Sequence, residues 1–452
     1  MMKISRKIGA CFIACLIAVS VFACGDFVDD ANGEFGPGER SGTTKLYVRN
    51  YNGGMGDEWL VERLTKFEEL YADKEILPGT KGVDIVVENV QASGTAQLTE
   101  IPIKRNELYF FEGINLADFI ADDLLLDLSD YVDDPLTDFG DDRSIWDKLS
   151  TDQQNYYSMG GGVYAIPHYQ GYVGINYDVD LFNERGYFRK ANGSFGADEN
   201  FSGLSAGPDG KSGTYDDGLP ATYQEFYELC EYITEDPMGA TPVTWTGAYP
   251  TYLTNVVNAL ACDYDGYEES RLKATYSGTA TKVVESVFDN GKITFKPEFT
   301  MDNTNGYLAY HTAGRYHGLT FAEKIIREKY YDNLSYETLY NHKAAQREFL
   351  LSNARNMPVQ NRDPIAMLFE GTWWFAEAAP EFEKINEVSP NNGQNDRNFK
   401  FMPYPKATPK EVGKPNVLYD INQSMAFIVK KIDPNKIGLA VDFLKFCCTD
   451  EA

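Results

Sequence analysis

The sequence predicts an α/β fold in two lobes, and three observations lead there. Its 452 residues exceed what a single hydrophobic core usually serves, so two domains are expected, each large enough to bury a core of its own. From Lys45 onward, short apolar strand-like runs alternate with segments of helical periodicity, the order that builds a sheet flanked by helices. With 43% hydrophobic and 24% charged residues the composition is that of an ordinary globular protein, which confines disorder to local stretches.

The N-terminus reads as an export signal. Lys3, Arg6 and Lys7 make a basic start, and "IGACFIACLIAVSVFA", Ile8 to Ala23, is apolar and ends in a small residue. This run is shorter than the roughly 20 apolar residues of a comfortable membrane span, so residues 1–23 are expected to be a signal peptide. Cys24 follows, and "VFAC" resembles the bacterial lipoprotein signal, in which the cysteine is diacylated and becomes the new N-terminus. Phe22 departs from that pattern by its bulk, and an uncleaved signal anchor is the alternative. Residues 24–44 would then be the lipidated cysteine and an acidic, Gly-rich tether reaching on the order of 25 Å. The implied location is the bacterial cell membrane, lipid-anchored, on its extracellular side.

The ordered part begins with "KLYVRNY", a strand that stops at Asn52-Gly53-Gly54. "DEWLVERLTKFEELYAD" follows as a helix, with Trp59, Leu60, Leu64, Phe67 and Leu70 at helical spacing. "VDIVVENV" and "NELYFF" are the next strands, and "LADFIADDLLLDLSDYV" is helical. "GGVYAIPHYQGYVGINYDVDLFNERGYF" reads as a strand pair interrupted near Pro167, then a helix. Asn192 to Gly218 is a long acidic loop whose Asp209, Asp216 and Asp217 offer carboxylates to a structural calcium. Their spacing misses the EF-hand pattern, and plain turn chemistry is the other reading. "PATYQEFYELCEYI" is a helix capped by Thr222, and residues 242–361 are mostly helical around a turn-rich patch at "DNGKITFKPEF". "PIAMLF", "KFMPYP" and "SMAFIVKK" are strands, and "NKIGLAVDFLKFCC" closes as a helix. Beyond the signal the cysteines are Cys230, Cys262, Cys447 and Cys448, with no CxxC to suggest a metal cluster. Cys230 and Cys262 are either a disulfide or two buried thiols, and the adjacent pair belongs to the core of the last helix.

Four motifs in order carry a resemblance. "YAIPHYQGYVGINYDVDLF", "LPATYQEF", "AMLFEGTWWF", and "AVDFLKF" followed by "TDEA" are together similar to the extracellular solute-binding proteins of ABC importers, in the carbohydrate-binding, maltose-binding-protein-like group. The resemblance implies a periplasmic-binding-protein-like fold of two α/β lobes with a hinge and an interlobe cleft. It implies crossings near 169–174, near 369–371 and near Val429. Lobe 1 would hold 45–168 and 371–428, and lobe 2 would hold 169–370 and 429–452. It also implies a carbohydrate ligand and permease subunits of an importer as partners; the family usually continues for further helices after the last motif, so a truncated sequence or a short C-terminus is expected. A monomer is expected.

A sugar has flat C–H faces and a rim of hydroxyls, so its site needs aromatic surfaces with carboxylates and amides beside them. "LFEGTWWFAEA" supplies a candidate without the family. If a helix starts after Gly371 with Thr372 as cap, then Trp374, Ala378 and Phe382 share an apolar stripe, while Trp373 lies with Glu377, Glu381 and Lys384. Trp374 is therefore expected in the core and Trp373 exposed as the platform, where the resemblance also puts the cleft aromatic. Pro380 weakens the register beyond the second turn. The resemblance adds Tyr169 and Gln170 at the crossing, Tyr249 and Trp245 in the second lobe, and Asn52, Glu112 and Asn115 at strand ends. Glu370 either accepts hydroxyls or braces the hinge, and Asn422 with Gln423 are weaker additions.

The charge excludes other classes. The formal net charge is −27, and setting aside the three basic residues of the signal makes it −30, a surface that repels nucleic acid and anionic headgroups. The chain has His168, His311, His317 and His342 as its only histidines and no HExxH, GxSxG or Walker loop. No catalytic residue or cofactor is expected. The alternatives are a binding protein for another solute such as a peptide, or an anchored glycosidase, which would need two carboxylates facing one bond.

Overall fold

The computed structural model describes residues 34–35, 42–90, 97–197, 203–289, 291–357, 362–421 and 424–450. The strands of its two main sheets are β1 (Glu34–Phe35), β2 (Thr44–Tyr51), β3 (Val83–Val90), β4 (Leu108–Phe111), β5 (Ile166–Pro167), β6 (Val173–Asp178), β7 (Thr241–Thr244), β8 (Ile365–Gly371), β9 (Phe399–Met402) and β10 (Met425–Ile428). The helices that matter here are α1 (Glu58–Leu70), α2 (Tyr223–Thr234), α3 (Thr251–Asp265), α4 (Ala313–Arg327), α5 (His342–Ser352), α6 (Trp374–Glu377), α7 (Ala379–Val388) and α8 (Ile437–Cys447). The chain divides into two compact units, Met1–Tyr169 with Ser424–Ala452, and Gln170–Gln423. No helix among the described residues is long and apolar enough to cross a membrane.

The first unit is a mixed sheet in the order β1-β3-β2-β4-β10-β5. β2 runs parallel to both β3 and β4, while β10 is antiparallel to β4 and to β5. Side chains alternate across a strand, so each sheet face collects every second residue. Leu46, Val48, Ile85, Val87, Leu108 and Phe110 meet Leu64 and Phe67 of α1 and Phe443 of α8 on one face. Tyr109, Phe111 and Phe427 meet Phe119 on the other. Leu60, Leu64 and Phe67 are buried as their spacing predicts, whereas Leu70, at the last turn of α1, is 55% exposed.

The second unit has the sheet order β7-β8-β6-β9, with β7 parallel to β8 and β6 antiparallel to both β8 and β9. Helices α2, α3 and α4 supply Phe226, Leu229, Leu260, Phe321 and Ile325 to a core with Met367 and Phe369 of β8. Ile365 and Leu368 of the same strand turn to a second core with Phe349, Trp374, Ala378 and Phe382. Thr222 caps α2 as expected, its Oγ1 accepting the Glu225 N–H at 3.3 Å. Asp178 is fully buried and carries three bonds: it accepts from Arg397 at 2.8 Å, from Asn353 at 2.9 Å and from the Leu181 N–H at 3.1 Å.

The expected allocation of the C-terminal third is corrected. Residues 371–423 belong to the second unit and 424–452 to the first, not 371–428 to the first and 429–452 to the second. Gly371 is not a crossing, because β8 stays paired with β6 to its last residue, from Met367 opposite Tyr177 to Gly371 opposite Val173. The chain leaves the first unit after Tyr169, near the expected place, and returns at Ser424. Cys230, Cys262, Cys447 and Cys448 are free thiols, so the disulfide alternative falls away.

The stripe on α6 and α7 gives a stability test. Trp374→Ala empties a fully packed ring site and is expected to cost about 3–5 kcal/mol. Lys384→Ala, exposed on α7, should stay within about 0.5 kcal/mol. Urea unfolding midpoints of the two variants measure the contrast.

Candidate functional site

In the first unit the chain passes from β2 to β3 on one side and then to β4 on the other. The carboxyl ends of β2 and β4 therefore form a topological switch point, the place where α/β sheets bind ligands. The loop after β2 is held down by a polar chain: Asn50 donates to Asn89 Oδ1 at 3.0 Å, and Asn89 donates to Asp57 Oδ2 at 2.7 Å. Burial lifts the Asp57 carboxyl above its usual range, against the pull of Asn89. Asn52 also donates to Asp57, at 3.4 Å, so this sequence-predicted contact residue braces the loop.

Gly54 sits at the focus of the crevice. It has φ +58, and a Cβ there would lie 2.3 Å from the Tyr169 hydroxyl and 2.9 Å from Glu112 Oε1. Only a residue without a side chain lets the two expected contact residues, a phenol and a carboxylate, converge on this backbone. Beside them Met55, Trp59, Phe110, His168 and Tyr169 line a pocket of about 190 Å³. The His168 ring lies 4.6 Å from Trp59, 4.9 Å from Phe110 and 5.2 Å from Tyr169. Desolvation among these rings, with a lesser push from Arg63, drops its pKa to about 3, so the imidazole is neutral. Trp59 stands in the sequence as one apolar residue of a helical stripe and His168 as one of four histidines. Nothing in their local pattern announces that β5 brings them together.

In the second unit the parallel pair β7 and β8 ends in the loops that carry Tyr249 and Trp373. Tyr249 is 45% exposed, with its ring 5.8 Å from that of His342. His342 Nε2 lies 3.4 Å from Glu377 Oε1, and Gln346 donates to Glu377 Oε2 at 2.7 Å. Burial works to raise Glu377, but His342, Gln346 and Lys343 outweigh it and hold the carboxyl below its usual value. Glu370 is raised well above its ordinary value by burial first and by the neighbouring Glu377 second, with the Gly371 N–H, Gln346 and Trp373 pulling the other way. The two neighbouring carboxyls are thus pushed in opposite directions, Glu377 down and Glu370 up. His342, Gln346 and Glu377 escaped the sequence reading because their meeting depends on α5 packing beside β8.

The expected exposed platform is not one. Trp373 is 8% exposed and joins the core of Phe369 and Trp245. The helix begins at Trp374, so Trp373 occupies the corner between strand and helix and folds its ring over Gly371, where a Cβ would come within 2.1 Å of it. Thr372 does not cap the helix. Its hydroxyl accepts the Tyr172 N–H at 3.1 Å. The two indoles do diverge, but into two cores. Trp245 is also a core residue, 2% exposed and stacked on Phe369 at 5.9 Å.

The remaining candidates are mostly occupied locally. Asn115 begins the short helix after β4 and donates to Asp118 at 2.8 Å. Gln170 is exposed and accepts from the Tyr172 hydroxyl at 3.1 Å. Asp209 accepts the Lys211 N–H, Asp216 accepts the Asp209 N–H and the Thr214 hydroxyl, and Asp217 accepts the Gly213 N–H, at 2.6 to 2.9 Å. This is the turn chemistry offered as the alternative to calcium, and among the described residues no group of three or more His, Cys, Asp or Glu side chains could hold a metal ion. Asn422, Gln423 and Cys24 lie outside the described residues.

Two substitutions test these surroundings. Gly54→Ala forces a left-handed φ on a side chain with no room, and is expected to cost about 1–2 kcal/mol in urea unfolding. For Glu370 the unfolded carboxyl ionises near its ordinary value of 4.5, while the folded one stays protonated to higher pH. The stability it confers is complete below that value and is lost as pH rises toward the folded pKa. Glu370→Gln should therefore match the wild type near pH 4 and gain on it by up to about 1.4 kcal/mol per pH unit above. Thermal melts at pH 4 and pH 8 read the difference.

No family model matches the sequence, and no curated relative matches it. Solved structures do resemble the chain. A chitin oligosaccharide binding protein shares 14% identity at a TM-score of 0.51, over 90% of this chain and 77% of its own. Maltose-bound MalE3 of T. maritima shares 15% at 0.50, over 89% and 77%. A structure from work on xylan utilization by the thermophilic bacterium Caldanaerobius polysaccharolyticus shares 12% at 0.53, over 89% and 78%. At such identities the likeness establishes the fold: this chain has the two-lobed α/β fold of the solute-binding proteins.

Proposed function

We propose that this protein is a carbohydrate-binding protein that captures a mono- or oligosaccharide, catalyses nothing, and delivers the sugar to the permease of an ABC importer. One observation carries the reading. Each unit brings a phenol and an acid together near its strand ends: Tyr169 and Glu112 converge on Gly54 in the first, and in the second Tyr249 lies beside His342, which pairs with Glu377. Such a pairing suits a sugar, whose C–H face needs a ring and whose hydroxyls need fixed acceptors. Sugar-binding proteins among the solved structures of this fold support the choice of ligand class. The acidic surface favours a neutral solute over an anionic one. In the same proposal the signal at residues 1–23 directs export, and a lipid on Cys24 holds the protein at the cell membrane, facing outward.

Calorimetry against a broad panel of soluble glycans tests this reading. Binding is expected, with Tyr169→Ala and Tyr249→Ala each weakening it roughly tenfold. Binding of peptides or polyamines with no glycan bound would overturn the ligand class. Release of product from a chromogenic glycoside would overturn the absence of catalysis.

A further inference from the structure

Three tyrosines on the second unit stand exposed together, apart from the strand ends. Tyr276, Tyr307 and Tyr310 are 41%, 65% and 43% exposed. Tyr276 ends the helix Tyr267–Thr275 with φ +48, in the left-handed region that helix ends ordinarily give to glycine. A bulky side chain is costly there, and it gains little packing in return because so much of the ring faces water. Its ring lies against Gly306, where a Cβ would come 2.5 Å from Tyr276 Cδ1. The Tyr276 and Tyr310 hydroxyls are 3.5 Å apart. Arg315 stands 5.9 Å from the Tyr310 ring, and His311 meets Tyr307 edge-on at 6.1 Å.

The patch continues toward the strand ends. Tyr419, whose hydroxyl is bonded by Asn258, is an electrostatic neighbour of Tyr310. The Tyr419 carbonyl accepts the Val173 N–H at 3.1 Å, Asp420 bridges to Tyr172, and the Tyr172 carbonyl accepts the Thr372 N–H at 2.9 Å. Backbone pairing thus ties the segment carrying Tyr419 to the Gly371–Thr372 corner, and Tyr419 is the electrostatic neighbour of Tyr310.

We propose that Tyr276, Tyr307 and Tyr310, continued by Tyr419, form a second saccharide-binding surface that takes the sugar rings of an oligosaccharide beyond those held at the strand ends. The inference rests on the carbohydrate reading above and narrows it to a chain of several sugars. Successive phenols present flat apolar faces with polar tips, which match the alternation of C–H face and hydroxyl rim along a glycan. Backbone strain concentrates where function needs it, and the left-handed Tyr276 is such a position.

The test uses the full-length protein and three series of soluble oligomers, of chitin, maltose and xylose, each from disaccharide to hexasaccharide. In the series that binds, wild-type affinity should rise with length. Tyr276→Gly and the double variant Tyr307→Ala/Tyr310→Ala should lose roughly three- to tenfold for the hexasaccharide and leave the disaccharide unchanged. Tyr276→Gly also relieves the strained φ, so its melting temperature should be equal to or above that of the wild type, which separates lost binding from lost folding. A wild-type affinity that does not depend on length, or variants that weaken every length equally or none, would overturn the second surface while leaving the carbohydrate reading intact. No binding by any of the three series would overturn the second surface, while the broad glycan panel decides whether the carbohydrate reading falls with it.

Discussion

Strand β8 has hydrogen-bonded neighbours on both edges and packed cores on both faces, and all seven of its residues are buried. A strand so enclosed must be apolar, and Ile365 to Phe369 are. The last two residues depart from the rule. Burial at Glu370 raises its carboxyl well above the ordinary value and so favours its neutral form, while Glu377 beside it is held to His342 and Gln346. Gly371 is tolerated because the Trp373 ring fills the space its missing side chain leaves. The geometry of the second unit's strand ends follows from these two accommodations, since the same strand positions the corner at Thr372 and the start of α6.

The first unit solves a similar problem with different residues. Its strand ends carry a buried amide chain through Asn50 and Asn89 to Asp57, which fixes the loop over the sheet. A buried polar chain is favourable only when its members find partners; here the Asn50 and Asn89 amide N–H groups do, while Asn50 Oδ1 is buried without one. In both units a glycine admits a side chain that a Cβ would displace: Tyr169 and Glu112 at Gly54 in the first, and Trp373 at Gly371 in the second. The sequences of the two sites have nothing else in common.

Much of the fold was legible in the sequence, because it rests on local patterns. The alternation in β2 to β4, the stripe of Trp374, Ala378 and Phe382, and the Thr222 cap are each set by residues within a turn or two of one another. The errors came where non-local pairing decides. Trp373 was expected to face outward from helical geometry, yet it precedes the helix, and its ring direction is set by Gly371. Residues 371–423 were placed in the other unit because the resemblance implied a crossing near 369–371, where Gly371 instead pairs with Val173, far away in the chain. At the candidate sites, strand ends led to Glu112 and Tyr169, which the structure brings together at Gly54, and to Tyr249, which it places beside His342. They could not point to His342 or Gln346, which arrive on a helix, or to Gly54, whose loop looked like any other turn.

The second unit is a single uninterrupted segment set inside the first. The strands on either side of it, β5 and β10, pair directly, with Pro167 opposite Met425. This has a consequence for synthesis. As the chain emerges, β5 has no partner and β4 keeps an open edge until about 250 further residues have been made, roughly 10–50 s at common elongation rates. The helix α8, which supplies Phe443 to the core against α1, comes later still. The inserted unit holds every strand of its own sheet and can be finished while its host waits. The unit that begins first is thus the last to close, and an early stop in translation would leave a completed second unit attached to an unfinished first one.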